Sequence, residues 1–529
     1  MCCAQVFDIK DELEAHKKTT RKVVATSLTK RISNHLSLFI VILILLFFSF
    51  PSTVLADSYT SVTVLEAKIM IDSNPSLVIL DVRNQSEYDS GHIRNAKLIP
   101  VFELEGRLSE LNKSDEILVY CKLGGRSSTA SQILVDNDFL YVYNMLGGIT
   151  AWMDEGYQVY VKYSLIQEAI NNASEGDTIF VSSGTYHEHV VVNKTVNLVG
   201  EDVETTVICG NGTQVVMKIV NPNVNITSFT IRNGAEGVYL LDSADSCVVI
   251  NSKMMNNSVG VFVKTDNNVF TGNIIVNNNG AGIKIYASCS CSPVRRNIVR
   301  NNILLGNSLG AELTNSVESQ VYHNNFINNT HQTVCNSDNI WDNDYPSGGN
   351  YWSDYNGTDI YNGPYQAVAG GDGIGDTPYT VSASIADNFP LMAPISKFEA
   401  YTENDASYSV DIVSNSTVSA FSFNPNEGAF LGFNVIGDDG TTSFCRVTIP
   451  KELLWVENDW TVMVGDEQVG YMLASDEANN YLYFMYHHSI RVVKIIGTHV
   501  IPEFPIATTL FLAMILIAFL IAITKKTWN

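Results

Sequence analysis

Short apolar runs separated by polar turns occur along most of the chain, and their spacing changes from one region to the next. In residues 60–160 the strand-like runs LVILDV and EILVYC alternate with segments of helical spacing such as SSTASQILVDN. Strands that alternate with helices are typical of a parallel sheet with crossover helices. We therefore predict an α/β domain over residues 60–160.

From residue 163 the strands become shorter and the pattern repeats. The segments TIRNGAEGVYL, KMMNNSVGVFV, IIVNNNGAGIKI and ILLGNSLGAEL carry a glycine at the matching place in each repeat: Gly237, Gly260, Gly282 and Gly310. Short strands divided by asparagine and glycine turns at a nearly constant period predict a β-solenoid over residues 163–394. Residues 164–173 should form a helix that covers its first open end. The asparagines expected to stack as ladders at the turns are Asn233, Asn256, Asn278, Asn307 and Asn329.

Residues 396–500 contain a third pattern of longer alternating strands. Examples are YSVDIVS, LGFNVIG and YLYFMYHH, with turns at NPNEG and GDDGT. This pattern predicts an antiparallel β-sandwich. Because its sequence offers no set of nucleophile, base and metal ligands, we interpret it as a spacer.

The first 56 residues have the pattern of a secretory signal segment. An apolar run over residues 38–50 follows several lysines and arginines, and the segment ends in a small residue, Ala56. This arrangement predicts cleavage after Ala56, with an uncleaved membrane anchor as the alternative.

A second apolar segment lies near the C-terminus, within residues 501–529. Residues 506–524 are uncharged and mainly apolar, and Lys525 and Lys526 follow them. A segment of this length spans a hydrocarbon core, and the trailing lysines place the C-terminus in the cytoplasm. We expect a single-pass membrane protein whose body is extracellular.

The charge balance narrows the range of partners. The chain has 32 basic and 55 acidic residues, which gives a net charge of −23. Nucleic-acid binding needs clustered lysine and arginine to neutralise phosphates, so we expect no nucleic-acid partner.

The clearest chemical signal is Cys121 in the stretch VYCKLGGRSS. It follows the predicted strand EILVY and precedes a helix expected to begin near Ser127. Free amides and positive potential at a helix start favour thiolate over thiol. Gly124 and Gly125 let the loop amides point inward as an anion nest, and Arg126 adds a guanidinium for an oxyanion. The pattern indicates a cysteine that accepts sulfur or attacks an anionic ester.

Several further stretches accompany this loop in a fixed order. Together with DVRNQSEYDSGHI, the pair Ile99-Pro100 and GGITAW, the loop CKLGGRS resembles a single-domain rhodanese. The resemblance implies that Cys121 carries a persulfide and that Arg126 and the loop amides hold the substrate. The loop of the related cysteine phosphatases is one residue longer, so the C-x4-R spacing favours sulfane sulfur over phosphate. The resemblance assigns the substrate-binding loop to Lys122, Leu123, Gly124, Gly125 and Ser127, and structural support to Asp81, Arg83, Glu87 and His92.

The repeats also resemble a known family. They are similar to the right-handed parallel β-helix proteins that include the copper-site maturation protein of nitrous oxide reductase and pectin-lyase-like carbohydrate-binding or carbohydrate-cleaving relatives. The stretches NYWSDYNGTD and GDGIGDTPY resemble the closing cap of archaeal members. The β-sandwich pattern is similar to a membrane-proximal module of archaeal surface proteins, and IPEFP resembles an archaeal sorting motif.

Three chemistries compete for the β-helix. Polysaccharide cleavage needs gathered carboxylates, whereas the acids of the repeats fall singly at turns. Copper would need soft ligands, for which Cys289 and Cys291 are candidates, with disulfides to Cys247 or Cys335 as the alternative. Calcium would need hard oxygen ligands, and DYNGTD offers such a set: Asp354, Asn356 and Asp359. Glycan binding along ledges lined by asparagine and aromatic residues is the default interpretation.

These observations leave three functional hypotheses. The first is a surface-anchored sulfurtransferase that needs no cofactor, takes sulfur from a small donor such as thiosulfate, passes it to a thiophilic acceptor, and binds a glycan or partner through its β-helix. The second is a non-catalytic adhesion protein with an inert rhodanese module. The third is a polysaccharide-active enzyme. The retained Cys121 and Arg126 favour the first hypothesis.

Overall fold

A computed structural model describes residues 58–241, 243–403, 406–425, 429–487 and 491–500. Two compact units divide these residues: 58–82 with 99–151 make the first unit, and 83–98 with the rest make the second. The predicted signal segment and the predicted membrane span lie outside the described residues. Within the described ranges, no helix is both long enough and apolar enough to cross a membrane.

Strands and helices alternate over residues 60–160 as predicted. The elements are β1 (Thr60–Val62), α1 (Val64–Ser73), β2 (Val78–Asp81), α2 (Gln85–Asp89), β3 (Lys97–Leu98), a 3-10 helix (Leu104–Glu110), β4 (Glu116–Tyr120), α3 (Gly125–Asp136), β5 (Tyr141–Met145) and α4 (Gly148–Asp154). In the first unit, four parallel strands are neighbours in the order β1–β5–β4–β2. The predicted α/β domain is therefore confirmed.

Strand β4 lies at the centre of the first unit's core. Its last four residues, 117–120, are fully buried, as expected for a parallel strand covered on both faces. Apolar residues of the neighbouring strands and of α3 pack around it, among them Leu80, Ala130 and Leu134. This packing fixes the end of β4, where Cys121 follows.

The second unit contains a parallel β-helix, which confirms the predicted solenoid. Its three sheets have seven, eight and seven strands, and each strand pairs in parallel with the strands of the adjacent coils. The first sheet comprises Thr178–Val181, Asn197–Gly200, Asn225–Thr227, Val248–Ile250, Val269–Thr271, Ile298–Arg300 and Gln320–Tyr322. The second comprises Gly184–Tyr186, Thr206–Cys209, Thr230–Arg232, Lys253–Met255, Ile274–Val276, Ile303–Leu305, Asn325–Ile327 and Tyr351–Trp352. The third comprises Val190–Val192, Met217–Ile219, Glu236–Leu240, Val259–Val263, Ala281–Tyr286, Leu309–Thr314 and His331–Cys335.

The helix predicted over residues 164–173 is also confirmed, as α5 (Ile166–Asn172). Its residues Ile166 and Ile170 are fully buried in the core of the β-helix. The carboxylate of Glu188 accepts hydrogen bonds from the first two amides of α5, at 2.7 and 3.1 Å. A carboxylate at a helix start satisfies free donors there, which explains why so short a helix forms.

Inward side chains of successive coils stack in register. One fully buried stack of the first sheet consists of Ile226, Val249, Phe270, Val299 and Val321. The polar residues between these strands form buried asparagine ladders. The three ladders comprise Asn257, Asn278, Asn307 and Asn329; Asn268 and Asn297; and Asn273, Asn302, Asn324 and Asn350. The ladder prediction is wrong for two of its five asparagines. Asn233 and Asn256 occupy left-handed turn positions beside the ladders.

One coil is longer than its neighbours, yet the ladders cross it without a gap. Asn257 and Asn278 are hydrogen-bonded across 21 residues of sequence, whereas Asn278 and Asn307 are hydrogen-bonded across 29. The additional residues lie in the turn after the strand Ala281–Tyr286 and include exposed residues 288–292. The insertion therefore leaves the stacked strands unchanged.

The remaining strands lie within or after the coils. Short pairs are Val294–Arg295 with Ser316–Val317, Tyr361–Asn362 with Val368–Ala369, Tyr379–Ser382 with Ile385–Asp387, and Leu454–Trp455 with His499–Val500. One five-stranded antiparallel sheet comprises Ile395–Glu403, Ala406–Ser414, Thr442–Pro450, Asn479–His487 and Tyr471–Ser475. The other comprises Thr417–Asn424, Phe430–Ile436, Arg491–Ile496, Thr461–Val464 and Glu467–Gln468. These two sheets share one apolar core, in the region where the sequence predicts a β-sandwich.

Candidate functional site

Cys121 lies between the end of β4 and the start of α3. Strand β4 ends at Tyr120, and α3 begins at Gly125 with Gly124 as its N-cap. Gly124 has a left-handed backbone with φ of 104°, a conformation that side chains disfavour. Glycine at this position lets the loop turn sharply, so that the first amides of α3 face the sulfur.

The sulfur of Cys121 is surrounded by donors. The residue Cys121 is 1% exposed, and the amide of Gly124 donates to its Sγ at 3.1 Å. Burial raises the pKa of the Cys121 thiol. Hydrogen bonds from the hydroxyl and amide of Ser127 and from the amides of Leu123 and Gly124 lower it, and they outweigh burial. The pKa of Cys121 therefore lies below its ordinary value, which favours a thiolate nucleophile.

The other predicted loop residues surround this sulfur with different degrees of exposure. Lys122 and Gly125 are exposed, and Leu123 is 68% exposed. Ser127 is fully buried, and Arg126 is half-buried in the first turn of α3. The structure thus brings the predicted loop together around a buried sulfur, with a hydrophobic and a basic side chain at its rim.

The start of α4, which follows β5, holds the backbone of the Cys121 loop. The amide of Ile149 donates to the carbonyl of Cys121 at 2.8 Å, and the amide of Thr150 donates to the carbonyl of Lys122 at 3.2 Å. The stretch GGITAW carries the family resemblance, but its contact with the Cys121 loop was not predicted from the sequence. The paired glycines were the available sign, because adjacent glycines mark a close backbone approach.

Substitution of Gly148 by alanine should distort the Cys121 loop. Gly148 has a φ of 59°, and a Cβ built there would lie 2.3 Å from the carbonyl oxygen of Cys121. We expect a loss of stability of about 2–4 kcal/mol and a large loss of any activity of Cys121. Thermal unfolding and thiol-reactivity measurements on the full chain test this.

Gly156 provides the matched control for this substitution. Its φ of 78° is also positive, but a Cβ there meets nothing within 4 Å. Gly156→Ala should cost about 1 kcal/mol through its backbone alone. Equal effects of the two substitutions would contradict the contact between Gly148 and the Cys121 loop.

The residues assigned to structural support lie in two places. Asp81 is fully buried at the end of β2, where its carbonyl accepts from the amide of Ile99. Arg83 is buried and donates from Nη2 to the carbonyl of Gly91 at 2.7 Å. Glu87 forms a capping box at the start of α2, and His92 contacts Glu201 of the β-helix.

The two cysteines considered as copper ligands are joined to each other. Cys289 and Cys291 form a disulfide in the long coil. The alternative prediction of disulfides to Cys247 or Cys335 is wrong, because both of those cysteines are free and buried in the β-helix core. Sulfurs in a disulfide are not thiolates, so this pair offers no soft anionic ligand for copper.

Two of the residues considered for calcium accept hydrogen bonds from other segments of the chain. Asp354 accepts from Gln332 and from Tyr379, both at 3.3 Å, and Asp359 accepts from two backbone amides at 2.8 Å. Across the described residues, no three His, Cys, Asp or Glu side chains are grouped so that they could hold a metal ion. The set of Asp354, Asn356 and Asp359 contains only two side chains of these types, so the calcium site stays a prediction.

The acids of the coils are likewise engaged at turns. Asp245 accepts from the amide of Asp266 at 2.9 Å, and Asp266 accepts from the amide of Arg295 at 2.8 Å. Glu318 pairs with two arginines at the surface. Asp242 lies outside the described residues. Asp245 and Asp266 therefore accept hydrogen bonds at turns, the role expected for single acids there, whereas Glu318 forms ion pairs.

Two family models match the chain. The model described as a rhodanese-like domain matches residues 63–155, and the model described as periplasmic copper-binding protein (NosD) matches residues 131–357. The first match contains Cys121 and both loops around it. The second contains most of the β-helix coils.

Individual relatives match part of the chain. YrkF of Bacillus subtilis is 38% identical over 97 residues, and the match covers 18% of this chain and 52% of that protein. Thiosulfate sulfurtransferase GlpE of Coxiella burnetii is 34% identical over 94 residues, and the match covers 18% of this chain and 87% of that protein. The chain thus spans about half the length of the first relative and most of the second.

A solved structure is similar to part of the chain. The crystal structure of a rhodanese-related protein from Thermoplasma volcanium is 31% identical, and the match covers 20% of this chain and 100% of that one, with a TM-score of 0.18.

Proposed function

The chain belongs to the rhodanese family through residues 63–155, and we propose that it transfers sulfane sulfur through a persulfide on Cys121. The observation that carries this proposal is the buried sulfur surrounded by amides, with a pKa below the ordinary thiol value. Relatives matched over this region are named thiosulfate sulfurtransferases, which supports thiosulfate as the donor.

The proposed reaction has two steps. The thiolate of Cys121 attacks the outer sulfur of thiosulfate, the sulfur–sulfur bond of the donor breaks, and sulfite leaves with the electron pair. A nucleophilic acceptor then attacks the terminal sulfur of the persulfide, and the thiolate of Cys121 leaves. With cyanide as acceptor the product is thiocyanate, and no external oxidant or reductant is needed.

The chain's own residues support both steps. The amides of Leu123, Gly124 and Ser127 stabilise negative charge, first on the thiolate and then on the outer sulfur of the persulfide. The half-buried Arg126 is proposed to hold the oxyanion part of the donor. Burial of Cys121 keeps water away from the persulfide between the two steps.

Mass spectrometry tests the persulfide directly. After the full chain is incubated with thiosulfate, the peptide that contains Cys121 should gain the mass of one sulfur atom, and dithiothreitol should remove it. Peptides with Cys209, Cys247, Cys335 and Cys445 should remain unmodified, since these free cysteines are buried and none of them lies at the start of a helix. Finding Cys121 in a disulfide, or unmodified, would overturn the proposal.

For the β-helix we propose binding of a glycan or a partner without cleavage. The carboxylates of Asp245, Asp266 and Glu318 are occupied by turn amides and arginines, which supports binding over hydrolysis. The family model that covers the coils is described as copper-binding, but the disulfide between Cys289 and Cys291 does not favour copper at those two residues.

Display at the cell surface is a further part of the proposal. It depends on the predicted signal segment in residues 1–56 and the predicted anchor in residues 501–529. With that topology, the body would meet donors and acceptors outside the cytoplasm.

A further inference from the structure

One buried carboxylate of the β-helix connects several parts of the second unit. Glu201 directly follows the strand Asn197–Gly200 and is 3% exposed. Its Oε1 accepts from the amide of Asn95 at 3.0 Å and lies 3.0 Å from Nε2 of His92. Its Oε2 accepts from the amide of Ser183 at 2.8 Å. Both oxygens of this carboxylate are therefore used.

Further bonds connect the segment 83–98 to the same region. His92 and Tyr160 exchange backbone hydrogen bonds of 3.1 and 2.9 Å, and the guanidinium of Arg94 donates to the carbonyl of Glu201 at 3.1 Å. The ring of Tyr88 stacks on that of His92, with centroids 3.7 Å apart. The segment 83–98 lies within the rhodanese-like match, whereas Glu201 lies within the β-helix.

The energetics make Glu201 the central member of this group. Burial raises the pKa of Glu201, but the hydrogen bond and charge of His92 and the amides of Ser183 and Asn95 outweigh it, so its pKa lies below the ordinary value. The side chain is ionised at neutral pH. Removing a buried, fully bonded carboxylate leaves its donors without partners, which costs more than losing a surface ion pair.

We infer that Glu201 is a positioning residue of the β-helix that holds the segment 83–98 against the β-helix, an arrangement called closed below. Because this segment belongs to the rhodanese-like match, that region is fully ordered only when the β-helix is folded. The segment continues directly from Val82, whose amide donates to the carbonyl of Tyr120, the residue before Cys121. Opening of the segment therefore loosens the end of β4. Only the effect of this loosening on turnover rests on the proposed sulfur transfer.

Hydrogen exchange on the full chain tests the closure. In Glu201→Ala the amides of His92 and Asn95 should exchange about a hundredfold faster at neutral pH, while strands such as Val248–Ile250 keep their protection. Glu204→Ala is the matched control, because Glu204 is an exposed glutamate three residues later that pairs with Lys253 at 2.8 Å. Glu204→Ala should leave the protection of His92, of Asn95 and of the strand Val248–Ile250 unchanged. Faster exchange in every coil would reduce Glu201 to a general stabiliser and overturn the inference.

Acidification adds a readout that a purely structural role would not move. A group with a lowered folded pKa stabilises above its unfolded pKa and loses that effect as pH falls through the folded value. In the natural chain the protection factors of the His92 and Asn95 amides should therefore decrease when the pH is lowered below about 4. The charged and titratable groups near Glu201 are His92, Arg94, Tyr160 and Tyr186. Glu201→Gln should be open already at neutral pH and change little on acidification; a response equal to that of the natural chain would contradict the role of this carboxylate.

Turnover of thiosulfate separates this inference from the proposed function. Glu201→Ala should lower turnover about tenfold or more, with Glu204→Ala unchanged. An open segment with full turnover would overturn the coupling to Cys121 and leave the sulfurtransferase proposal standing. No turnover in the natural chain would overturn the sulfurtransferase proposal. The exchange of the His92 and Asn95 amides in the Glu201 variants would still test whether Glu201 holds the segment 83–98.

Discussion

Replacing Cys121 by serine should abolish sulfur transfer from thiosulfate, with turnover falling about a thousandfold or more. The serine hydroxyl is not ionised at neutral pH and cannot form a persulfide. The measurement is thiocyanate production from thiosulfate and cyanide by the full chain. Circular dichroism and the unfolding temperature should stay close to those of the natural chain, because serine fits the space of cysteine.

Cys335→Ser is the control for this substitution. Cys335 is also a free, buried cysteine, and its Sγ donates to the carbonyl of Ser337 at 3.1 Å, a bond that a serine hydroxyl can replace. Turnover should be unchanged in this variant. Full turnover in Cys121→Ser would reject Cys121 as the sulfur-carrying residue and favour the non-catalytic display protein.

The pH profile of the natural chain follows from the same sulfur. The thiolate is the reactive form, and it is lost as pH falls through the pKa of Cys121. Hydrogen bonds from Ser127, Leu123 and Gly124, called the cradle, hold the pKa of Cys121 below its ordinary value. The acid limb of the kcat/KM profile should therefore lie below about pH 8.5. An acid limb at or above the ordinary thiol value would contradict the cradle.

Substitution of Asn302 by alanine should have the largest effect on stability. Its Oδ1 accepts from the amide and the Nδ2 of Asn273 at 2.9 and 3.0 Å, and its Nδ2 donates to Oδ1 of Asn324 at 2.9 Å. Removing a middle member leaves buried donors on one side and a buried acceptor on the other. We expect the free energy of unfolding of the β-helix to fall by about 3–5 kcal/mol, measured by urea denaturation.

Asn279→Ala is the matched control for the ladder. Asn279 is an exposed asparagine of a neighbouring turn whose backbone amide, not its side chain, makes the bond to the adjacent coil. This substitution should change the free energy of unfolding by less than about 0.5 kcal/mol. Similar losses for Asn302 and Asn279 would show that the ladders do not stabilise the coils through their buried bonds.

Local patterns account for what the sequence predicted correctly. The strand EILVY, the cysteine after it and the glycines that follow are contiguous, so the position of Cys121 at a strand end was readable without tertiary contacts. The repeats were equally readable, because glycines such as Gly237 and Gly260 recur in each coil and close approach of successive backbones excludes a side chain there.

Contacts between distant residues account for what it did not predict. Asn256 and Asn257 are adjacent and identical, and only the coil's turn geometry decides that Asn256 takes the left-handed position while Asn257 joins the ladder. The pairing of Cys289 with Cys291 depends on a tight turn inside the insertion. The bond between His92 and Glu201 joins residues 109 positions apart, and neither residue carries a local sign of the other.

The long coil has a consequence for how the chain tolerates change in length. Ladder asparagines of successive coils are 29 residues apart in this coil and 21 residues apart in the one before. The eight additional residues form a longer turn at one corner and leave the strands unaltered. A corner that already absorbs such a difference is where natural variation in length should accumulate among homologous chains. For the same reason, residues 288–292 are the position at which a peptide epitope or an affinity tag could be grafted while the hydrogen-bonded stack beneath it stays intact.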